Sequence, residues 1–438
     1  MSAIFALLWT FTMLPHTLIV HNLGLGIGAL IGVYVIALNW RLLFTRQAIP
    51  IWLILLFFLW MGIHLLFIGK NLGLQLAEYL SVWKRAALGS LFGVGFGISV
   101  IQANQSRNWT IVVIGLFAPT FIYYLKYLAT FILPVFGQNA PDFLRLYFGS
   151  AEFYVPKISY VFYCLPALAL ALGMLLRQLR KVTQLDVLKV KASLFWIAMV
   201  FLVLGVFYLE NIKNGIMYAV VLIILFLLGI FRGGTYKASK FSLSIVFFIS
   251  LVIAALVLNN LRMNATWANL LADLDMVRVS SPEVVWKTAE PYYPLNKNGV
   301  PVASTNFDRA FYFGAGLSLL KQNPLGYGLV QSSFGHLAQE RWPNAPLIQS
   351  HSGWLDLALG LGVPGALLLL ASALAAIQKV DTAVEPWSIF GAWTLGGILI
   401  LYISTEVAQK NYVDTFVWLI VLVASLSLQK ISGRTGAL

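Results

Sequence analysis

Residues 48–68 read AIPIWLILLFFLWMGIHLLFI, an apolar run without a single aspartate, glutamate, lysine or arginine. A helix that crosses a bilayer needs about 20 such residues, whereas a membrane barrel strand needs about 10 of alternating polarity. Comparable runs recur along the chain, separated by shorter polar segments. The sequence therefore predicts an all-α polytopic membrane protein of about twelve transmembrane helices.

The predicted spans share an apolar composition punctuated by Gly, Ala and Ser, which lets helices pack closely in lipid. They cover residues 3–20, 22–40, 48–68, 86–102, 109–133, 158–176, 193–210, 215–231, 240–258, 352–377, 387–404 and 411–428. The first of them is expected to be retained, because the N-terminus lacks the basic start of a cleavable signal peptide.

The composition supports membrane lipid as the surroundings. Hydrophobic residues make up 60% of the chain and charged residues 10%, against about 45–50% and 25% in soluble domains. The net charge of +13 does not indicate nucleic acid, because cytoplasmic loops of membrane proteins are rich in Lys and Arg. No basic motif interleaved with aromatic residues is present, so no nucleic-acid partner is expected.

The basic residues also predict the orientation. They concentrate in alternate short loops, as with Arg177, Arg180 and Lys181 after the span at 158–176. The positive-inside rule puts these loops and both termini in the cytoplasm. Three regions follow: a bundle of about nine helices (1–258), a long outer loop (259–350) and a bundle of about three helices (351–438).

The loop at 259–350 contains too many aromatic residues for a disordered linker. Two amphipathic helices are expected in it, one from Thr305/Asn306 to about Gln322 and one over Val330 to Arg341. Helical spacing puts four apolar residues of the first helix on one face, as in an amphipathic helix: Ala310, Phe313, Leu317 and Leu320.

His351 is the candidate catalytic residue. It stands where the chain re-enters an apolar run, and a neutral imidazole suits a general base near neutral pH. A histidine at a helix mouth is commonly structural, so its sequence context has to carry the hypothesis. Asp273 and Asp275 match the D-x-D spacing of metal-binding glycosyltransferases, a pattern that two acids in a polar loop often produce by chance.

Basic residues persist on the outer face, where the insertion rule disfavours them. Among these are Arg145, Lys157 and Lys213, and Arg309 lies in the long loop. Contact with lipid phosphates would explain any one of them. As a group beside the long loop, they favour an anionic substrate held at the outer face of the membrane that the helices span.

Four elements follow one another in a recognisable order: Asn306-Phe307-Asp308-Arg309, Pro324-Leu325-Gly326-Tyr327-Gly328, His351-Ser352-Gly353-Trp354-Leu355 and Gly360-Leu361-Gly362-Val363-Pro364-Gly365. This order resembles the O-antigen ligase/polymerase superfamily of bacterial inner-membrane enzymes. Within the superfamily, a chain with a single long loop before the histidine looks most like the ligase that attaches O-antigen to lipid A–core. The O-antigen polymerase is the alternative.

The resemblance implies a GT-C-like glycosyltransferase that needs neither metal nor cofactor, in the inner membrane of a Gram-negative bacterium with a periplasmic active site. Its donor would be a glycan on undecaprenyl diphosphate and its acceptor lipid A–core. His351 and Arg309 would be catalytic, and Arg309, Lys213, Lys157 and Arg145 would bind the diphosphate. Lys213 stands where the family has an arginine, without the bidentate fork of a guanidinium.

A transporter of lipid or anionic solute is the alternative from another class. Lys126 and Asp414 fall within or near apolar spans, and ionisable groups inside a membrane often mark a transport path. The absence of an internal sequence repeat disfavours an inverted-repeat transporter.

Overall fold

A computed structural model describes residues 1–103, 105–146, 151–181, 187–231, 240–263, 267, 269–286 and 293–428. Across these ranges the chain is almost entirely helical, and the one β-bridge found there joins Leu295 to Pro301. The predicted all-α class is therefore confirmed.

The described residues form seventeen α-helices, numbered in chain order. They are α1 (Ser2–Phe11), α2 (Leu18–Asn39), α3 (Ile49–Ile63), α4 (Leu72–Glu78), α5 (Lys84–Ala103), α6 (Ser106–Phe131), α7 (Lys157–Lys181), α8 (Val187–Leu209), α9 (Lys213–Phe231), α10 (Lys240–Met263), α11 (Leu270–Val279), α12 (Pro282–Val285), α13 (Ser304–Gln322), α14 (Ser333–Arg341), α15 (Gly353–Val380), α16 (Trp387–Ser404) and α17 (Lys410–Ser425).

Within the described ranges, nine helical segments are long and apolar enough to cross a bilayer, which makes this a multi-pass membrane protein. They are Leu18–Phe44, Arg46–Ile68, Leu72–Ala103, Ser106–Phe136, Lys157–Arg180, Lys191–Leu209, Lys213–Ile230, Gly353–Val380 and Trp387–Ser404. The remaining predicted spans correspond to α1, α10 and α17, so the count of about twelve stays a prediction.

The first predicted span has different bounds in the structure. Helix α1 ends at Phe11, and α2 begins only at Leu18. The hydroxyl of Thr17 donates to the carbonyls of Phe11 and Leu14, which closes a turn between the two helices. The apolar run at 3–20 therefore contains a break that hydropathy alone does not reveal.

Glycines let the central helices approach closely. A Cβ added to Gly95 of α5 would lie 2.4 Å from the Cα of Gly32 on α2, and one added to Gly93 would lie 3.0 Å from the backbone N of Leu422 on α17. Helix α5 is thus wedged between α2 and α17. Such close packing of backbones is typical of helices in lipid.

The long loop between α10 and α15, which is predicted to lie on the outer face and is called the outer loop here, has its own hydrophobic core. Trp286, Phe307, Phe311 and Trp342 are all buried in it. In α13, Phe307 and Phe311 are almost fully buried, whereas Phe313 and Leu317 of the predicted apolar face are each 42% exposed. The aromatic cluster around Trp286 decides which face turns inward.

The Pro324–Gly328 turn docks on a break in α15. Gly362 has φ +74°, and this interrupts the helix. The amides of Tyr327 and Gly328 donate to the carbonyls of Leu359 and Gly360, at 2.8 and 2.7 Å. The amide of Val363 donates to the carbonyl of Pro324 at 2.8 Å. Backbone groups that the break leaves without helical partners are thereby satisfied, and the outer loop is fixed to the helix that His351 precedes.

Candidate active site

A cavity of about 350 Å³ lies where α7 and α9 begin and α16 ends. It is called the His351 cavity here. Five charged or titratable side chains line it: Lys157, Lys213, Arg309, His351 and Glu406. Four of the five predicted site residues are thus gathered around one space, although they come from distant parts of the chain.

His351 has a carboxylate partner. Its Nδ1 lies 2.9 Å from Oε2 of Glu406, and the two side chains are 21% and 38% exposed. Burial disfavours the Glu406 carboxylate, but the hydrogen bond from His351, the charge that His351 carries when it is protonated, and the charge of Arg309 outweigh this effect. The pKa of Glu406 is therefore lowered from its ordinary value, and the group is ionised at neutral pH.

This pairing assigns the ring nitrogens. An ionised carboxylate only accepts hydrogen bonds, so Nδ1 of His351 must carry the proton that it shares with Glu406. In the neutral imidazole, Nε2 then holds a lone pair. This is the arrangement in which a carboxylate orients a histidine for general-base catalysis.

The backbone around His351 is held in an unusual conformation. His351 has φ +60°, a left-handed geometry that few non-glycine residues adopt. Ser352 caps α15 by accepting from the amide of Leu355. The Ser350 amide donates to Oδ1 of buried Asp356 at 2.8 Å. Asp356 therefore fixes the loop, and Glu406 rather than Asp356 orients the imidazole.

An aromatic ring supports the other side of the site. Tyr312 of α13 stacks against His351 with 5.8 Å between ring centroids and 10° between planes. The same helix carries Asp308, which accepts from the hydroxyl of Tyr293 at 3.2 Å. Burial raises the pKa of Asp308 in spite of that bond and of the nearby charge of His351.

The cations are positioned by neighbouring polar groups. Nη1 of Arg309 donates to Oδ1 of Asn214 at 2.6 Å, which joins the outer loop to the start of α9. Nζ of Lys157 donates to the carbonyl of Glu210 at 2.6 Å and lies 3.7 Å from its carboxylate. The cavity therefore presents fixed positive charge beside an oriented histidine.

Arg145 lies apart from these residues. It sits in a turn before α7, where Nη1 is 3.5 Å from the carboxylate of Asp142, and it is absent from the lining of the His351 cavity. Its part in binding a diphosphate stays a prediction.

Sequence reasoning missed Glu406, Asn214 and Tyr312. One sequence feature could have linked Glu406 to the site, because the predicted orientation put it on the same face of the membrane as His351. Asn214 and Tyr312 carried none, since they are ordinary residue types whose roles depend on the packing of α9 against the outer loop.

The D-x-D pair is part of the loop's framework. Asp273 is fully buried and accepts from the side-chain amides of Asn296 and Asn306, both at 2.9 Å. Asp275 pairs with Lys297 at 3.1 Å. In the part of the chain that the structure describes, no group of three His, Cys, Asp or Glu side chains could hold a metal ion.

A family model described as O-antigen ligase matches residues 197–370. This segment belongs to the O-antigen ligase superfamily. A search of curated proteins gave no significant match.

Within the O-antigen ligase segment lie Lys213, Arg309 and His351. Lys157 and Glu406 lie before and after it, and both line the same cavity. The superfamily segment therefore supplies the histidine and two cations, while flanking helices complete the cavity wall.

Proposed function

We propose that this protein is an O-antigen ligase: a metal-independent glycosyltransferase that moves a glycan from undecaprenyl diphosphate to a sugar hydroxyl of lipid A–core. It would act at the periplasmic face of the inner membrane with both termini in the cytoplasm. The membership of residues 197–370 in the O-antigen ligase superfamily supports this. The observation that carries it is the His351–Glu406 pair in a cavity that also holds three cations.

The acceptor step begins with proton removal. As the acceptor hydroxyl oxygen attacks the anomeric carbon, its proton passes to Nε2 of His351. Glu406 stabilises the imidazolium that forms, since the opposite charge lies 2.9 Å away. General-base assistance of this kind contributes roughly 10²–10⁴-fold to a rate.

The donor step releases undecaprenyl diphosphate. The bond between the anomeric carbon and the phosphate oxygen breaks, and its electron pair leaves with the diphosphate. Arg309, Lys213 and Lys157 are the groups that would bind this anion, because all three line the cavity. Fixed cations at a developing negative charge lower the barrier without any rearrangement during reaction.

The direct test is transfer by purified protein. Lipid-linked glycan and lipid A–core would be supplied in detergent or nanodiscs, with a chelator and without an ion gradient. We expect lipid A–core carrying the glycan as the product. No transfer under these conditions, with restoration by a divalent cation, would contradict metal independence; no transfer in either case would contradict the ligase reaction.

The O-antigen polymerase is the alternative enzyme, because the superfamily resemblance also covers it. The acceptor distinguishes the two. A polymerase lengthens the glycan on undecaprenyl diphosphate, so lipid A–core would stay unmodified in the purified reaction.

The transporter hypothesis depends on Lys126 and Asp414, and both have fixed partners. Nζ of Lys126 donates to the carbonyls of Arg145 and Phe153. Oδ2 of Asp414 lies 2.7 Å from Nε of Arg85, with both side chains largely buried. These contacts hold Lys126 to the segment between α6 and α7 and join α17 to α5, which is a structural role for both residues and favours the enzyme over the transporter.

A further inference from the structure

A second open space lies beside the His351 cavity. It consists of two adjoining cavities of about 370 and 180 Å³ that share Thr12, Leu14, Pro15 and Asn411. Together they are called the outer groove. It lies at the beginning of α7 and α17, the same end of the bundle as the His351 cavity.

One layer of protein separates the two spaces. Lys157 lines the His351 cavity, while its neighbours Pro156 and Ser159 line the outer groove. Gln409 also lines the groove, and its side-chain amide donates to the carbonyl of Glu406 and to the side chain of Gln349, both at 3.3 Å. A chain of sugars in the groove would therefore end close to the His351–Glu406 pair.

The lining of the larger cavity suits a saccharide. Side-chain amides and aromatic hydroxyls contribute most of its polar groups, including Gln331, Gln409, Tyr154 and Tyr412. Amides both donate and accept, as adjacent sugar hydroxyls require. Ser159 fixes Tyr412 through a 2.7 Å hydrogen bond between their hydroxyls.

Cations line both parts of the groove. Lys410 lines the larger cavity. Arg85 lines the smaller one, and the same guanidinium group is also paired with Asp414 at 2.7 Å. Nη2 of Arg85 donates to Oδ1 of Asn411, the residue shared by both cavities, at 3.2 Å. Ammonium and guanidinium groups near a saccharide site favour a phosphorylated ligand.

The groove also meets the membrane. Leu18 lines the smaller cavity and is 59% exposed, and the next residue, Ile19, is 75% exposed. Both stand at the start of the spanning segment Leu18–Phe44, where exposed apolar side chains face lipid. A ligand with acyl chains beside α2 could therefore keep its head group in the groove.

We propose that the outer groove binds the phosphorylated saccharide head group of a membrane lipid. This rests on the proposed function, under which that lipid is the acceptor, and it assigns donor and acceptor to opposite sides of the wall at Lys157 and Glu406. The acceptor's saccharide reaches over this wall to present a hydroxyl to His351.

The test measures binding of lipid A–core to the full-length protein in nanodiscs. The variant is the double substitution Gln331→Ala and Lys410→Gln, both at exposed positions. The matched control is Lys321→Gln, an exposed cation outside both cavities. We expect the double variant to bind roughly ten-fold more weakly, as for loss of one hydrogen bond to a charged group. The control should bind as the wild type does.

Two further ligands identify what is recognised. The wild type should bind phosphatase-treated lipid A–core, and also water-soluble phosphorylated core saccharide, more weakly than intact lipid A–core. If the treated lipid binds as tightly as intact lipid A–core, recognition of phosphate is contradicted. If the soluble saccharide binds as tightly as intact lipid A–core, the proposal that the ligand is a membrane lipid is contradicted. Binding of undecaprenyl diphosphate should be the same in the double variant; an equal loss would overturn a separate site.

The outcomes separate this proposal from the proposed function. If lipid A–core binds as expected but no glycan is transferred, the proposed ligase reaction is contradicted and binding of the lipid in the outer groove is supported. If glycan is transferred and the double variant keeps the wild-type KM for lipid A–core, binding of the acceptor in the outer groove is contradicted and the ligase reaction is supported.

Discussion

Nδ1 of His351, just before α15, lies 2.9 Å from Oε2 of Glu406, just after α16. This contact joins two segments that the sequence keeps far apart, and it determines which ring nitrogen is able to accept a proton. A histidine that would otherwise be an interfacial residue thereby acquires the orientation of a general base.

The first prediction concerns Glu406→Gln. The amide preserves size but removes the charge that stabilises the imidazolium, and it no longer fixes Nδ1 as a donor. We expect kcat for glycan transfer to fall about 10²-fold or more, with little change in the KM of the donor. Glu340→Gln is the matched control, since Glu340 pairs with Lys70 away from the His351 cavity. Equal kcat values for Glu406→Gln and wild type would contradict the role of the pair.

A second prediction concerns pH and stability. The folded-state pKa of Glu406 is lowered, so its stabilising contribution is present above the ordinary value of 4.5 and is lost as pH falls through the lowered value. The thermal midpoint of the wild type should exceed that of Glu406→Gln at neutral pH, and the difference should shrink below about pH 4.5. A difference that stays constant down to pH 3 would contradict the charged pair.

Asp308 is expected to change the stability of the folded protein with pH in the opposite direction. Its pKa is raised from 3.8, chiefly by burial. The charged form is thus disfavoured in the folded protein, and stability falls as pH rises from about 3.8 through the raised value. Asp308→Asn should therefore raise the thermal midpoint at neutral pH, while the amide still accepts from Tyr293. A lower midpoint at neutral pH would show that the ionised carboxylate is needed for stability.

A further prediction separates charge from geometry at Arg309. Arg309→Lys keeps the positive charge but loses the planar fork and the 2.6 Å bond to Asn214. We expect roughly ten-fold weaker binding of undecaprenyl diphosphate, as for one lost charge-assisted hydrogen bond. Arg278→Lys, on the exposed side of α11, is the control. Binding as tight as in the wild type would show that Arg309 acts as a point charge only.

The turn that docks on α15 gives a prediction about stability. Gly326 has φ +83°, and an added Cβ would lie 2.4 Å from the backbone N of Gly362. Gly326→Ala should therefore lower the free energy of unfolding by at least about 1–3 kcal/mol.

Gly314→Ala is the matched control, since Gly314 lies within α13 and no atom lies within 4 Å of its added Cβ. It should stabilise by about 0.5–1 kcal/mol, because alanine is the better helix former. Equal midpoints for the two variants in thermal or denaturant unfolding would contradict the tight packing of the Pro324–Gly328 turn.

Long apolar runs were enough to predict the nine membrane-spanning segments found in the described part of the chain, because lipid requires long apolar segments. They could not place the break before Leu18, which depends on the hydroxyl of Thr17. Nor could they choose the buried face of α13, because contacts of Phe307 and Phe311 with distant aromatic residues decide it.

The site was predictable where its residues lie in ordered local motifs. His351 and Arg309 fall in such motifs, and the structure brings both to one cavity. Glu406 and Asn214 join the site only through the packing of α9 and α16 beside the loop, which spacing in one sequence does not encode. Arg145 shows the converse, because a shared membrane face does not imply a shared cavity.

We propose that His351 removes the proton from the acceptor, and His351→Asn is the sharpest test of this role. Asparagine tolerates the left-handed backbone at φ +60° but cannot accept a proton near neutral pH. With purified protein, we expect a loss of about 10²–10⁴-fold in the rate of glycan transfer to lipid A–core, with undecaprenyl diphosphate bound as tightly as by the wild type. Transfer at the wild-type rate would contradict it.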